Sequence, residues 1–408
     1  MRWIILVIAS FIAIGCGGSS SNNFVKGGKE ISSLSSSQTK EILEQNGIGN
    51  ESYIVFGTKR YKISYETIDV NGKKVKASGV VVVPILDNSE ISDYIKKVGF
   101  ATVIDCHGTI FLNENAPSEV LKRAKSIYGA EVAYSSLAGF ITLMPDYVGF
   151  GDSKEKVHPY LLKKALSQSV VDFTKAAFKF LKENNIPLSA NEELYLSGYS
   201  EGGFVALSSV KPLEQAGFNL ILSTPMDGPY LLEPIGSMMT NSQTLPAQSI
   251  GYVADLIYAY SKAYNFNLDT VFQEPYASTI PSLFDKKHSS YEIYKNLTTK
   301  TKGEGGLFTD NFIDEYNISN FRLELFKNSI TNPQARTQID LIHCMGDDVV
   351  PYKVAQEEKK LLGFLGNHIK LFTVDSKENP LTHAKCFVPA YAKALHLFMD
   401  SRENILGY

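Results

Sequence analysis

The sequence has no excess of basic charge, no zinc-type cysteine spacing and, beyond its first residues, no long apolar run. Lys and Arg number 40 against 43 Asp and Glu, a formal charge of −3. That balance leaves no basic footprint, so nucleic acid is not expected as a partner. No His-Glu-x-x-His occurs and the four cysteines are widely scattered, so no metal and no other cofactor is expected. No later stretch approaches the roughly 20 apolar residues that a spanning helix needs. No internal repeat is evident. What remains is ordinary globular composition, 44% hydrophobic and 20% charged, in 408 residues. Such a length suits one large α/β domain with an insertion, or two domains.

The N-terminus reads as an address. Arg2 precedes an apolar run from Trp3 to Ile14, too short for a stable span and suited to a secretory signal core. The run ends in Ala13-Ile14-Gly15-Cys16-Gly17-Gly18-Ser19-Ser20, which resembles the lipobox of bacterial lipoproteins, with Ala13 in place of the more usual Leu. The resemblance implies a signal peptide over residues 1–15 and acylation of Cys16, which would attach the chain to a membrane of a bacterial cell envelope. An ordinary cleaved signal is the alternative. Each buried CH₂ contributes about 0.8 kcal/mol, so a multiply acylated cysteine anchors durably. Gly17, where inner-membrane lipoproteins often carry Asp, points to the outer membrane, facing the periplasm or at the cell surface. Residues 16–37, rich in Ser, Asn and Gly, read as a solvated tether.

From residue 38 the chain alternates strand and helix signals. Gln38 to Gln45 reads as a short helix. Tyr61 to Val70 and Val75 to Val83 flank Asn71-Gly72-Lys73 as a hairpin. Phe100 to Asp105 and Phe140 to Met144 read as buried strands, with a helix expected around Ser118 to Ile127. Leu161 to Lys182 carries apolar residues at helical spacing and precedes another apolar run at Leu194. After the strand Phe218 to Leu222, residues 224–336 lose the alternation and become helical and aromatic. It resumes with Ile339 to His343, a helix from Lys353 to Leu362, the strand Ile369 to Val374 and a last helix from Phe387 to Met399. This order predicts a mostly parallel sheet covered by helices on both faces.

The most informative stretch is Leu194 to Gly203. An apolar strand ends abruptly in Gly198-Tyr199-Ser200-Glu201-Gly202, and a helical pattern follows at once. Strand, Gly-x-Ser-x-Gly turn and helix together describe a strained elbow that lifts a serine hydroxyl clear of a sheet. Glycines at 198 and 202 are expected because a side chain there would strike the neighbouring strand and helix.

Four blocks in this order, His107-Gly108-Thr109, Pro145-Asp146-Tyr147-x-Gly149-x-Gly151, Gly198 to Gly203 and Gly346-Asp347-Asp348-Val349-Val350-Pro351, resemble the secreted lipase-like branch of the α/β-hydrolase superfamily. The resemblance runs from Tyr61 to Leu397. It implies an α/β-hydrolase core over residues 38–223 and 337–408, with a helical cap, 224–336, inserted between the sixth and seventh sheet strands. It also implies a Ser…Asp…His triad. Ser200 is the expected nucleophile and His383, just before the last helix, the expected base. Position relative to Pro351 favours Asp347 as the acid over Asp348, which would point the other way along the loop. The backbone N–H groups of Thr109 and Glu201 are the family's positions for holding a developing oxyanion. Asp146 and His158 read as loop anchors, and His107 as a hydrogen-bond partner of its turn. Export implies an oxidising compartment. Cys344 and Cys386 each lie three residues from an expected triad member, so a disulfide between them is a candidate; buried free thiols are the alternative.

The activity implied is hydrolysis of a small-molecule or lipid carboxylic ester through an acyl-enzyme. Two other enzyme readings share that machinery: a peptidase of the prolyl-oligopeptidase-like branch, and an acyltransferase. The stretch before Tyr61 is too short for a propeller domain, which weighs against the peptidase.

Overall fold

β2 (Gly57–Ile68) and β3 (Lys74–Ile85) pair antiparallel in an unbroken register from Gly57↔Ile85 to Ile68↔Lys74. Their connection is set by Asp69, whose Oδ1 accepts the N–H groups of Asn71 (2.9 Å) and Lys73 (3.0 Å), while Gly72 takes φ 73°. An Asx-turn of this kind needs a short acceptor first and a residue tolerant of positive φ later, which Asp69 and Gly72 supply. The computed structural model describes residues 26–46, 54–87, 89–123, 125–331 and 334–406. The expected signal peptide, Cys16 and the first part of the expected tether lie outside the described residues.

The remainder of that tether is corrected by the structure. Residues Lys26–Leu34 form β1, which pairs antiparallel with β2 (Glu30↔Tyr61, Leu34↔Thr58), and α1 (Ser36–Gln45) follows behind a Ser35/Gln38 capping box. A strand of Lys, Ser and Glu reads as linker by composition, yet polar strands are what sheet edges tolerate best. α2 (Glu90–Val98) leads to β4 (Thr102–Cys106). The helix expected around Ser118 to Ile127 shrinks to α3 (Pro117–Leu121). The chain beyond it serves a buried ion pair instead. Arg60 donates to both Glu131 oxygens (2.7 and 2.8 Å) and to the Ser126 carbonyl (2.9 Å).

β5 (Ile141–Pro145), α4 (Lys163–Glu183), β6 (Leu194–Tyr199), α5 (Glu201–Gln215) and β7 (Leu220–Met226) complete the first part of the core. The sheet order is β1-β2-β3-β5-β4-β6-β7-β8-β9, where β8 is Gln338–Ile342 and β9 is Ile369–Phe372. Pairing is parallel from β5 through β9, so the carboxyl ends of these strands share one rim. β4, β5 and β6 are buried at every residue, as a sheet covered on both faces requires. β7 runs four residues further than its apolar signal, which places residues 224–226 in the sheet rather than in the insertion.

Between β7 and β8 the described residues of the chain form the α-helices α6 (Glu233–Asn241), α7 (Ala247–Tyr264), α8 (Tyr276–Leu283), α9 (Ser290–Lys295), α10 (Asp310–Glu315) and α11 (Asn320–Asn328), with two isolated antiparallel bridges, Thr244↔Lys300 and Phe272↔Phe308. Many of its rings pack on one another, as in Phe272–Phe308 (5.8 Å) and Phe312–Phe321 (5.7 Å). α12 (Tyr352–Phe364) and α13 (His383–Leu406) end the fold. No helix among the described residues is long and apolar enough to cross a membrane.

The glycines of the elbow have no room for a side chain. A Cβ on Gly202 would lie 1.8 Å from the Cys106 carbonyl oxygen, and one on Gly198 would lie 2.2 Å from the Gly202 carbonyl. Both obstacles are backbone atoms that cannot rotate away. Gly202→Ala is therefore expected to cost about 3 kcal/mol, measured as a fall in urea midpoint at unchanged m-value; a midpoint within error of wild type would contradict this packing.

Candidate active site

Ser200 is the residue between β6 and α5 and has φ 60°, ψ −120°. A non-glycine residue stays in that region only where its surroundings over-determine it. Here the Ser200 N–H donates to the Met226 carbonyl on β7 (2.9 Å), and α5 starts at the next residue. The side chain is half-buried and opens on a cavity.

Around it lie the groups that the sequence singled out. The Thr109 and Glu201 backbone N–H groups, at the end of β4 and the start of α5, make no hydrogen bond among the described residues. Thr109 Oγ1 pairs with Tyr160 Oη at 2.9 Å. The two His107 ring nitrogens lie 2.8 Å from Gly108 O and 3.2 Å from Asp146 O, and burial lowers the ring's pKa, so the neutral imidazole donates its single N–H to one of these carbonyls. Asp146 accepts the Ser118 N–H (2.8 Å) and the Ser78 hydroxyl (2.5 Å) beneath the site.

The Glu201 side chain does something spacing did not announce: its carboxylate takes His158 Nε2 at 2.7 Å, while His158 Nδ1 donates to Val148 O at 2.9 Å. Burial disfavours the imidazolium, but the Glu201 charge and hydrogen bond, with the Asp255 charge and the Val148 carbonyl, together outweigh it and raise the His158 pKa. The two residues are 43 apart in sequence, and no local pattern links them.

On the next strand ends, Asp347 and His383 meet. His383 Nδ1 lies 2.6 Å from Asp347 Oδ2, and Asp347 Oδ1 accepts the N–H groups of Val349 and Val350, each at 2.8 Å. Burial alone would raise the Asp347 pKa; the His383 hydrogen bond and charge outweigh it and hold the carboxyl below its usual range. Asp348 does not point away, as the sequence suggested. Its Oδ1 accepts the His383 backbone N–H at 3.0 Å, which also explains why α13 begins four residues earlier than its apolar pattern. Among the described residues no hydrogen bond joins Ser200 Oγ to His383. Tyr199, the residue before Ser200, ties the two elements by donating to the His383 carbonyl at 2.5 Å, with the two rings 5.0 Å apart.

Cys344 and Cys386 form a disulfide across 42 residues, with Cα atoms 6.1 Å apart, and so bind the loop that carries Asp347 to α13, which starts at His383. Asp227, directly after β7, is the residue that sequence reasoning missed. It is fully buried against this bridge and against Asp347. Its only signal is an acid immediately after a strand, hidden because the strand outruns its apolar run.

Asp227, Asp347 and His383 present atoms within 4.8 Å of one another, close enough for a metal ion in distance alone. The Asp347 oxygens, however, are occupied by two backbone N–H groups and an imidazole, a hydrogen-bonding set. The cavity beside Ser200 is about 320 Å³ and mostly apolar. Val349, Val350 and Pro351 wall one side, and Ile235 and Met238 of α6 with Tyr252, Val253 and Leu256 of α7 wall the other. A larger polar cleft of about 830 Å³, near Asn113 and Lys286, does not reach Ser200.

Strand order, rim and elbow together define the class: the chain has the α/β-hydrolase fold. It superposes on a putative hydrolase from Legionella pneumophila at TM-score 0.80 and 23% identity, over 92% of this chain and 98% of that one. The rice cell wall degrading esterase LipA from Xanthomonas oryzae follows at TM-score 0.74 and 23% identity, covering 91% and 95%. Lipase A of Candida antarctica in its closed state superposes at TM-score 0.60 and 12% identity, over 91% and 82%. What is shared at these identities is the fold. No protein-family model matches the sequence, and no curated protein matches it.

The disulfide yields a prediction. Replacing Cys344 and Cys386 by Ser frees a loop closed across 42 residues, for which chain entropy gives about 4 kcal/mol of stability. Denaturant titration should show that loss, and reductant should lower the stability of the native protein but not of the double variant. Equal stability with and without the bridge would contradict its role.

Proposed function

We propose that the protein is a serine carboxylic-ester hydrolase in which Ser200 attacks, His383 transfers protons and Asp347 holds the imidazole. The observation that carries this reading is the pairing of a serine on a strained elbow with a 2.6 Å imidazole–carboxylate contact at neighbouring strand ends of one rim. A neutral hydroxyl is a poor nucleophile, so it needs a base to take its proton as Oγ adds to an acyl carbon. Asp347 accepts from Nδ1, which leaves Nε2 as the nitrogen for that proton. The unengaged N–H groups of Thr109 and Glu201 are the donors for the tetrahedral oxyanion. The proton then passes from Nε2 to the leaving alcohol, and water, activated by the same nitrogen, releases the acid.

The apolar cavity favours an ester with a hydrophobic acyl group. Esterase and lipase neighbours in the same fold support that substrate class. Attachment to a bacterial envelope through acylated Cys16 is part of the same proposal and rests on the sequence around that cysteine. Cys16→Ser should release the protein from the membrane fraction while leaving turnover unchanged.

The reaction is tested with a chain-length series of p-nitrophenyl esters. Hydrolysis should be measurable and should rise from acetyl to longer acyl groups that fill the cavity. A fluorophosphonate probe should label Ser200. Ser200→Ala should lose the label and lower kcat by about 10⁴–10⁶-fold. Persistent labelling, or undiminished turnover, in that variant would end the assignment.

A further inference from the structure

We infer that Asp227 is a protonated positioning residue beneath the base: its neutral carboxyl donates an O–H to Asp347, so the two acids hold one proton and one negative charge between them. The inference rests on the triad reading above.

Asp227 sits at φ 46° and is held there by its own N–H, which donates to the Ile342 carbonyl of β8 at 2.9 Å. The partners of its carboxyl are unequal. Oδ1 accepts the Cys344 N–H at 3.0 Å. Oδ2 lies 3.4 Å from Cys386 Sγ, which is bonded to Cys344 and has no hydrogen to give. An oxygen of Asp227 and an oxygen of Asp347 lie within 4.8 Å of each other, and both residues are buried. Two carboxyls held this close away from water do not both ionise unless a cation sits between them, so one of them keeps a proton.

Among the described residues no Lys or Arg pairs with Asp227, so no permanent positive charge keeps both acids ionised. His343 Nε2 is 3.7 Å from Asp227 Oδ1 and 3.5 Å from Asp347 Oδ2, but Val350 O accepts its hydrogen at 2.8 Å. Its Nδ1 is buried with no partner among the described residues, as befits a neutral ring, and burial lowers its pKa. The other titratable groups that face the pair are Asp375 from the loop after β9, Tyr230, Tyr199 on β6 and His383 itself. Of these only His383 becomes a cation, and it contacts Asp347.

The hydrogen-bond count decides which acid keeps the proton. Asp347 receives two backbone N–H groups and an imidazole; Asp227 receives one N–H. Burial first, and then the Asp347 charge, push the Asp227 pKa up to about 9. An O–H donated to Asp347 withdraws electron density from the carboxylate that stabilises the imidazolium. Asp227 thereby sets how readily His383 gives up its proton, without touching substrate.

The test combines two substitutions with a readout that packing alone does not move. Asp227→Leu removes the donor, so Asp347 becomes more basic and the acid limb of the kcat/KM profile moves up by about 0.5–1 pH unit. Asp227→Asn restores a donor to Asp347 and an acceptor for Cys344 N–H, and should return the limb to its wild-type position. The Asn substitution also removes the raised ionisation. A folded-state pKa above the unfolded one stabilises fully only below the unfolded value and loses that stability as pH rises toward the folded value. The Tm of Asp227→Asn should therefore exceed that of wild type by a margin that grows from pH 5 to about pH 9. A wild-type-minus-Asn infrared difference spectrum at pH 7 should show a carboxylic-acid C=O stretch.

A carboxylate band in its place, or a Tm difference that does not grow with pH, overturns the proposal. So does a folded Leu variant with an unmoved limb; if that variant does not fold, the Asn arms decide alone. Ser200→Ala and Asp347→Asn are run beside them. If those two leave turnover intact the triad reading falls, while the infrared and Tm arms still judge the proton on Asp227.

Discussion

One backbone residue held in an unfavourable conformation organises the rest of this molecule. Ser200 takes φ 60° because β6 must turn at once into α5. The turn closes only if the residues at 198 and 202 bring no side chain against Cys106 and one another. The parallel sheet supplies the counter-force. β7 accepts the Ser200 N–H, and buried β4 presses on Gly202 from the other side. Remove the elbow and the hydroxyl falls back into the sheet. Keep it, and every strand end to its right along the rim becomes a place from which to serve it.

Those strand ends are used in order. β4 delivers Thr109, β6 Ser200, β7 Asp227, β8 Asp347, and the chain after β9 delivers His383. Carboxyls crowded at such a rim need stated partners, and the structure gives each a different one. Glu201 has the His158 imidazole, and Asp347 has His383 and two backbone N–H groups. Asp227 has the Cys344 N–H. The disulfide between Cys344 and Cys386 and the Tyr199 hydroxyl fix α13 to the loop of Asp347 and to the elbow. Helices α6 and α7 of the cap close an apolar chamber over Ser200.

Much of this was legible in the chain because local signals and tertiary demands coincide there. Gly-Tyr-Ser-Glu-Gly between an apolar strand and a helix needs a tight turn wherever it occurs, and the structure has one at Ser200. Asp347 rather than Asp348 meets the imidazole; the expectation for Asp347 comes from the pattern of the family that the Gly346 to Pro351 block resembles. The failures have one cause: contacts made far along the chain. β1 looks like linker because its polar residues are tolerated only by pairing with β2. Asp348 and the early start of α13 explain each other across 35 residues. Asp227 is silent in sequence because its meaning comes entirely from the carboxyl, sulfur and imidazole packed around it.

The central claim is that a covalent acyl group passes through one hydroxyl. Rapid acid quench during turnover of a p-nitrophenyl ester, followed by peptide mass analysis, observes that group directly. The account predicts an added acyl mass on the peptide that contains Ser200, appearing with the burst of nitrophenol and decaying at the rate of turnover. Turnover with no acylated peptide, or with the acyl group on another residue, would contradict it.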